Sequence, residues 1–259
     1  MAHVVAFTNQ KGGVGKTSSS MNFAFHCVKQ GKRVLCIDCD GQGNLSSRLA
    51  MDDNGEILPL SATRTVDLFD ENVGEITPLP CPRGIDLIAT EPYDLNMYEL
   101  EAVPIDKVSL PAKRCRELFK SYDYVVIDCP PSLGRLLIAA LTMATHAVIP
   151  VRVSGFSVDG IGGLLKTINT VQGATNPNLK VVGIFVNDFQ PTSKAQQESY
   201  AELKEMAGDY MLKSALKNRP PIDTAVNRGV PLSELPYAHV ADKEVAKLMD
   251  EIIERVNRG

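Results

Sequence analysis

A chain of 259 residues with 44% hydrophobic and 22% charged side chains is long enough for a sizeable core and too ordinary in composition for a fibrous or disordered protein. Its net charge of −4 excludes a uniformly basic nucleic-acid binder, though not a local basic patch. No apolar run reaches the roughly 18 residues that span a bilayer. The N-terminus also lacks the charged-then-apolar layout of a secretory signal, so a cytoplasmic protein is expected.

Short β-branched runs alternate with longer helical patterns along the chain. The strand candidates are Val4–Phe7, Arg33–Asp38, Ile85–Ala89, Tyr124–Asp128, Ala147–Val151 and Val181–Val186. Helical patterns cover Thr17–Gln30, Ile105–Ser121, Leu133–Thr145, Val158–Val171, Ser193–Ala207 and Ala241–Val256. Strand followed by helix, repeated, predicts an α/β fold: a mostly parallel twisted sheet with helices on both faces. Tyr124-Val125-Val126-Ile127 is the near-continuous apolar run of a central parallel strand. The stretch from Ala50 to Pro104 is rich in Asp, Asn, Pro and Gly and reads as loops with short elements. No repeat or linker divides the chain, so residues 1–259 are expected to form one domain.

The six cysteines show no disulfide framework. Cys36-x-x-Cys39 has the spacing of a redox or metal pair, but it falls on a strand and its C-terminal edge. Residues three apart there point to opposite faces, so small buried apolar residues are expected instead.

The segment Gln10-Lys11-Gly12-Gly13-Val14-Gly15-Lys16-Thr17 carries the clearest chemistry. It follows a strand and opens a helix, as a phosphate-binding loop of the G-x-x-x-x-G-K-[ST] kind must. Its glycines let the backbone turn sharply and bring N–H groups close to phosphate oxygens. Lys16 supplies a point charge for the β- and γ-phosphates, and the Thr17 hydroxyl suits Mg²⁺. Ser18 continues the helix, whose positive end faces the anion. Gln10 stands where the usual loop has its first glycine, and Lys11 comes next. Asp38 and Asp40 end the second strand, and Asp128 ends Val125-Val126-Ile127-Asp128. Carboxylates at such strand ends face the ligand crevice and can hold Mg²⁺ directly or through its water shell.

The loop Lys11–Thr17 resembles the deviant Walker A of the ParA/MinD group of P-loop ATPases. Asp38-x-Asp40 with Gln42-Gly43-Asn44 resembles the group's second block, and Val126-Ile127-Asp128-Cys129-Pro130-Pro131-Ser132 its third. Ile149-Pro150-Val151 with Phe156 to Gly160 resembles the fourth. The likeness runs over the whole chain and is looser beyond Val151.

The resemblance implies an ATPase with ATP and Mg²⁺ as cofactors, closing into a nucleotide sandwich homodimer. Lys11 resembles the signature lysine that reaches the partner subunit's phosphates, and Asp40 the carboxylate that positions the attacking water. Asp38 and Asp128 would serve Mg²⁺, and Asn187 sits where the family contacts adenine. Nucleotide contacts are thus expected from Lys11, Gly12, Gly13, Val14, Gly15, Lys16, Thr17, Ser18 and Asn187. In the plasmid and chromosome partitioners a ParB-type protein stimulates hydrolysis, and the ATP dimer binds DNA without sequence preference, which would make this chain nucleoid-associated. Charge and region single out Lys194, Lys213, Lys217, Arg219 and Arg228 for phosphate contacts.

Gly41 stands where the partitioning branch usually has Pro, and the Lys217–Pro231 stretch matches its family counterpart only loosely. With only Met1 to His3 ahead of the first strand, no operator-binding helix-turn-helix is expected there. A MinD-type membrane protein is the main alternative. Its amphipathic C-terminal helix should carry a basic polar face, whereas Ala241–Val256 mixes acids with bases, so packing on its own domain is expected. A nitrogenase iron protein type would need cluster-holding cysteines, for which Cys115 and Cys129 show no pattern. Positioning of a protein cargo and an ATP-dependent small-molecule ligase on the same fold are further alternatives.

Overall fold

The apolar runs pair into one sheet in the computed structural model, which describes residues 2–153 and 158–258, with backbone alone for 158–160. The strands are β1 His3–Phe7, β2 Val34–Asp38, β3 Leu79–Cys81, β4 Ile85–Ile88, β5 Tyr124–Asp128, β6 His146–Val151 and β7 Lys180–Val186. Among the described residues they form a seven-stranded sheet in the order β3-β4-β2-β5-β1-β6-β7, parallel throughout except for β3 against β4. The predicted α/β class is therefore the observed one. The helices are α1 Lys16–Lys29, α2 Asn44–Leu49, α3 Leu95–Glu99, α4 Leu110–Phe119, α5 Arg135–Met143, α6 Val158–Ala174, α7 Lys194–Ala207, α8 Pro220–Arg228 and α9 His239–Arg258.

Alternation along each strand sends side chains to two cores. Val5, Phe7, Cys36, Val126 and Val148 pack with α1, α2, α8 and α9. Ala6, Ile37, Ile127 and Ile149 pack with α3 through α7. Cys36 and Cys39 fall in these two different cores, so the pair cannot converge on a metal. All six cysteines are buried and free. Among the described residues no cluster of His, Cys, Asp and Glu has a metal-holding arrangement.

The C-terminal helix settles inside the protein. Val245, Leu248, Met249, Ile252 and Val256, the apolar stripe of α9, are all buried in the core shared with α1, α2 and α8. No described helix is long and apolar enough to cross a membrane.

One expectation needs correction, and three elements, β3, α2 and α8, were not individually expected. The helix expected over Ile105–Ser121 begins as a 3-10 turn, Ile105–Ser109, and becomes α-helical only at Leu110, with Pro111 in its first turn. The edge strand β3 was not expected, being three residues long with Pro80 at its centre. Helix α2 was also unexpected, because its N-cap is Gly43 in the left-handed region rather than a side-chain cap. Helix α8 begins at Pro220-Pro221, and its stop is Gly229 at φ +64°. A Cβ on Gly229 would overlap the Arg48 carbonyl, so glycine both ends α8 and lets it dock on α2.

Candidate functional site

Register brings the strand ends level. Phe7 of β1 pairs with Asp128 of β5, and Asp38 of β2 pairs with the same Asp128. The loop after β1 therefore emerges beside two carboxylates at the carboxyl edge of the sheet, where parallel strands present their ligand crevice.

Three anchors shape that loop. Asn9 is buried; its Nδ2 donates to the Pro150 carbonyl at 2.8 Å, and its Oδ1 accepts the Lys11 N–H at 3.0 Å. Val14 is sunk into the protein at 1% exposure. Gly15 takes φ +95°, a left-handed conformation, directly before α1. A Cβ on Gly15 would overlap the Asn187 amide, whose Nδ2 donates to the Val14 carbonyl at 3.0 Å. Gly12 and Gly13 face open space instead, leaving their backbone approachable.

Lys16 is nearly buried, and its Nζ donates to the Lys11 carbonyl at 3.3 Å. Burial lowers its pKa, while the Asp128 charge pulls it back up. Thr17 Oγ1 donates to Asp128 Oδ2 at 2.6 Å, and Ser20 Oγ donates to Asp128 Oδ1 at 3.1 Å. Burial raises the pKa of Asp128 despite these bonds. Burial, then the Asp128 charge, raises Asp38 as well.

Asp38 accepts three hydrogen bonds. Its Oδ2 accepts the Ser46 N–H at 2.9 Å and the Ser46 hydroxyl at 2.8 Å, and its Oδ1 accepts the Asp40 N–H at 3.1 Å. Asp38 thus fastens the turn that carries Asp40. The Asp40 carboxylate accepts the Gln42 N–H at 3.1 Å and faces the cleft. At Gly41, inside this turn, a Cβ would meet only ordinary contacts with Met97 and Tyr98.

A cleft of about 450 Å³ opens over these groups. Gly12, Gly13, Gly15, Lys16, Thr17, Ser18, Asp40 and Asn187 line it. Lys11 is exposed on the loop. The stretch from Phe156 to Gly160, expected as a fourth block, lies outside the residues described with side chains. Lys217 and Arg219, singled out for DNA by charge, line the same cleft and pair with Glu244 of α9, Arg219 through Nε at 3.1 Å and Nη2 at 2.7 Å. Lys194, Lys213 and Arg228 are exposed and do not line it.

Several residues of the site were not anticipated. Arg152 lines the cleft and pairs with Asp188 at 2.5 Å. Its position one residue past β6 is a strand-end signal like that of Asp128. Asn9 precedes a glycine-rich turn, the usual place for an Asx-type anchor. Ser20 lies four residues beyond Lys16, one helical turn further along α1.

A glycine loop between a central parallel strand and a helix, with its Lys-Thr pair at a strand-end aspartate, defines the class of P-loop nucleotide-binding proteins. Residues 2–181 match a family model described as an AAA domain. The chain is 34% identical over 246 residues to the sporulation initiation inhibitor protein Soj of Bacillus subtilis, with 90% of each chain covered. It is 30% identical over 270 residues to the chromosome-partitioning ATPase Soj of Treponema pallidum, with 98% of each covered. The chain belongs to the ParA/MinD family of P-loop ATPases, on its ParA/Soj side. Among solved structures, cobyrinic acid a,c-diamide synthase from Mycobacterium smegmatis with bound ADP and magnesium is 26% identical. Its TM-score is 0.75 over 88% of this chain and 91% of that one. Apo McdA from Cyanothece shares the fold at a TM-score of 0.82, covering 98% and 100% of the two chains at 23% identity.

Proposed function

We propose that this chain is a ParA-type ATPase that closes into an ATP-dependent sandwich dimer, binds DNA without sequence preference and segregates plasmid or chromosome DNA with a ParB-type partner. The observation that carries the reading is the Lys16–Thr17–Asp128 constellation under a cleft-lining glycine loop. The donor set fits ATP and Mg²⁺. Lys16 is buried against a single loop carbonyl that a phosphate oxygen can replace, and two buried carboxylates with raised proton affinity lie level at the strand ends.

In this reading the glycine N–H groups and Lys16 cradle the phosphates, and Asn187 borders the base. Thr17 and Asp128 hold Mg²⁺, with Asp38 adding its charge from beside Asp128. Bound there, the metal would neutralise charge on the phosphates. Asp40, kept in place by its bond to the Gln42 N–H, orients the attacking water. Lys11 reaches the phosphates held by a second subunit, so closure and hydrolysis are linked. Catalysis of this kind is positioning plus charge stabilisation. Opening of the dimer after hydrolysis would release DNA, with Lys194, Lys213 and Arg228 as outward-facing phosphate contacts. Lys217 and Arg219, bound to Glu244 in the cleft, could reach DNA only along its rim. Such a protein works in the cytoplasm, on the nucleoid.

The apolar stripe of α9 is buried, so that face is not free to lie on lipid. The similarity to a diamide synthase keeps the ligase class within the fold, but the partition ATPases match at higher identity over as much of the chain or more.

The test is ATP-dependent retention of plasmid DNA of unrelated sequence. The wild type should bind with ATP, lose binding as salt rises, and leave anionic vesicles unpelleted. Lys16→Ala should lose both ATP affinity and DNA retention. Wild-type ATP affinity in that variant would sink the phosphate-loop assignment, and vesicle pelleting without DNA retention would favour the MinD-type function.

A further inference from the structure

Between β4 and α4 the chain makes a short excursion over residues 91–103, containing α3 and the 3-10 turn Leu100–Ala102. Met97 and Leu100 root it in the core. Asp94 caps α3, its Oδ1 accepting the Asn96 N–H at 2.9 Å.

From this base the excursion reaches both loops that follow the site's carboxylates. On one side the Tyr93 N–H donates to the Gly41 carbonyl at 3.1 Å, and the Tyr98 hydroxyl accepts Gln42 Nε2 at 2.9 Å. These bonds tie down the turn of Asp40. On the other side Glu101 Oε1 accepts the Ser132 hydroxyl at 3.1 Å, and Glu101 Oε2 accepts the Arg135 N–H at 2.5 Å. Ser132 lies in the loop that leaves Asp128, and Arg135 is the first residue of α5.

Helix α5 has no cap of its own, because its N-cap position is Gly134. Glu101 supplies the missing acceptor from a distant stretch, and a carboxylate suits the positive end of a helix. Gly134 makes the room: a Cβ there would overlap the Glu101 carboxylate. Glu101 itself does not line the cleft among the described residues, so any effect on chemistry runs through the loops it holds.

The geometry points to Glu101 as a positioning residue for the ATPase reaction. It fastens the loop 129–134, and with it the end of β5 at Asp128, to the same segment that fastens the turn of Asp40. The mutual placement of Asp40 and Asp128 then depends on one short excursion rather than on two independent loops. This inference rests on the ATPase reading above. The phosphate loop is anchored separately, by Asn9, Val14 and Asn187, so loss of the Glu101 latch acts on the chemical step and leaves nucleotide binding in place.

The experiment is steady-state ATP hydrolysis by wild type, Glu101→Ala, Glu101→Gln and Gly134→Ala, with melting temperatures alongside. Glu101→Ala should lose roughly tenfold or more in kcat with KM for ATP within about twofold. Glu101→Gln keeps an acceptor for the Arg135 N–H and a partner for Ser132, so it should recover most of that loss. Gly134→Ala leaves the carboxylate chemically intact but displaces it, so it should reproduce the Glu101→Ala defect. Wild-type kcat in Glu101→Ala overturns the inference, as does a loss shared equally by all three variants in step with their melting temperatures. If Glu101→Ala does not fold, equal kcat in Glu101→Gln and Gly134→Ala overturns it. A wild type without ATPase activity defeats the ATPase reading and the inference together, whereas the other failures defeat the inference alone.

Discussion

Gly15 joins the phosphate loop to Asn187, and the joint can be measured. Gly15 sits at φ +95° and ψ 29°, where an L side chain costs about 1–2 kcal/mol. A methyl group there also overlaps the Asn187 amide. Asn187 must swing away and give up its 3.0 Å bond to the Val14 carbonyl, a further loss of about 1 kcal/mol. Gly15→Ala should therefore destabilise the protein by about 2–3 kcal/mol. In an Asn187→Ala background the overlap and the bond are already gone, and the same substitution should cost only the backbone share, about 1–2 kcal/mol. Urea unfolding of the four proteins closes the cycle, provided their m-values agree. The expected coupling is about 1 kcal/mol. Additivity within about 0.3 kcal/mol would mean that Asn187 and the loop are energetically independent, and the reasoning would fail.

Two other consequences concern the body of the fold. His146 is buried, and desolvation, then the His3 and Lys180 charges, push its pKa down to about 4. The unfolded chain then binds a proton that the folded chain refuses, so stability is lost as pH falls from about 6.5 to about 4, by up to about 3 kcal/mol. Urea midpoints across that window should drop more steeply for wild type than for His146→Gln, and parallel profiles would exclude His146 as the cause. Ile252 is fully buried in the stripe of α9, so Ile252→Ala should cost about 2–4 kcal/mol in urea unfolding. A cost near zero would show that α9 does not pack on the domain in solution.

Legibility in the sequence followed how local each cause was. Strand β5 matches its predicted bounds, Tyr124–Asp128, because a continuous apolar run ending in Asp has few other readings. The Lys16–Thr17–Asp128 grouping was readable because the loop motif encodes a strand, a turn and a helix in a fixed order. Helix α8 was not recognised, since Pro220-Pro221 reads as a breaker until its place at the first turn of a helix is known. The site residues that escaped depend on distant partners. Asn9 is defined by the Pro150 carbonyl 141 positions away, and Ser20 by Asp128, 108 positions away. Charge and region single out Lys217 and Arg219, but neither tells which way a side chain points. Glu244, 25 residues beyond Arg219, turns both toward the cleft.

The placement of the carboxylates has a cost that helps explain the site. Asp38 and Asp128 end neighbouring strands in register, both essentially without solvent. In that position burial raises the proton affinity of each, and their hydrogen bonds to Ser46, Thr17 and Ser20 only moderate the effect. A fold selected for stability alone would have little reason to keep two acids level at the centre of its sheet. A divalent cation beside Asp128, as proposed, would replace the proton's charge and remove much of the penalty. Asp38 accepts three hydrogen bonds from Ser46 and Asp40, so a cation bound directly to it would share a carboxylate that also holds the Asp40 turn. In the proposed function Asp38 would serve a bound cation from beside Asp128 and hold Asp40 in position. In that reading the two aspartates of the Asp38-x-Asp40 block would divide the work, the first buried at the strand end and the second facing the cleft.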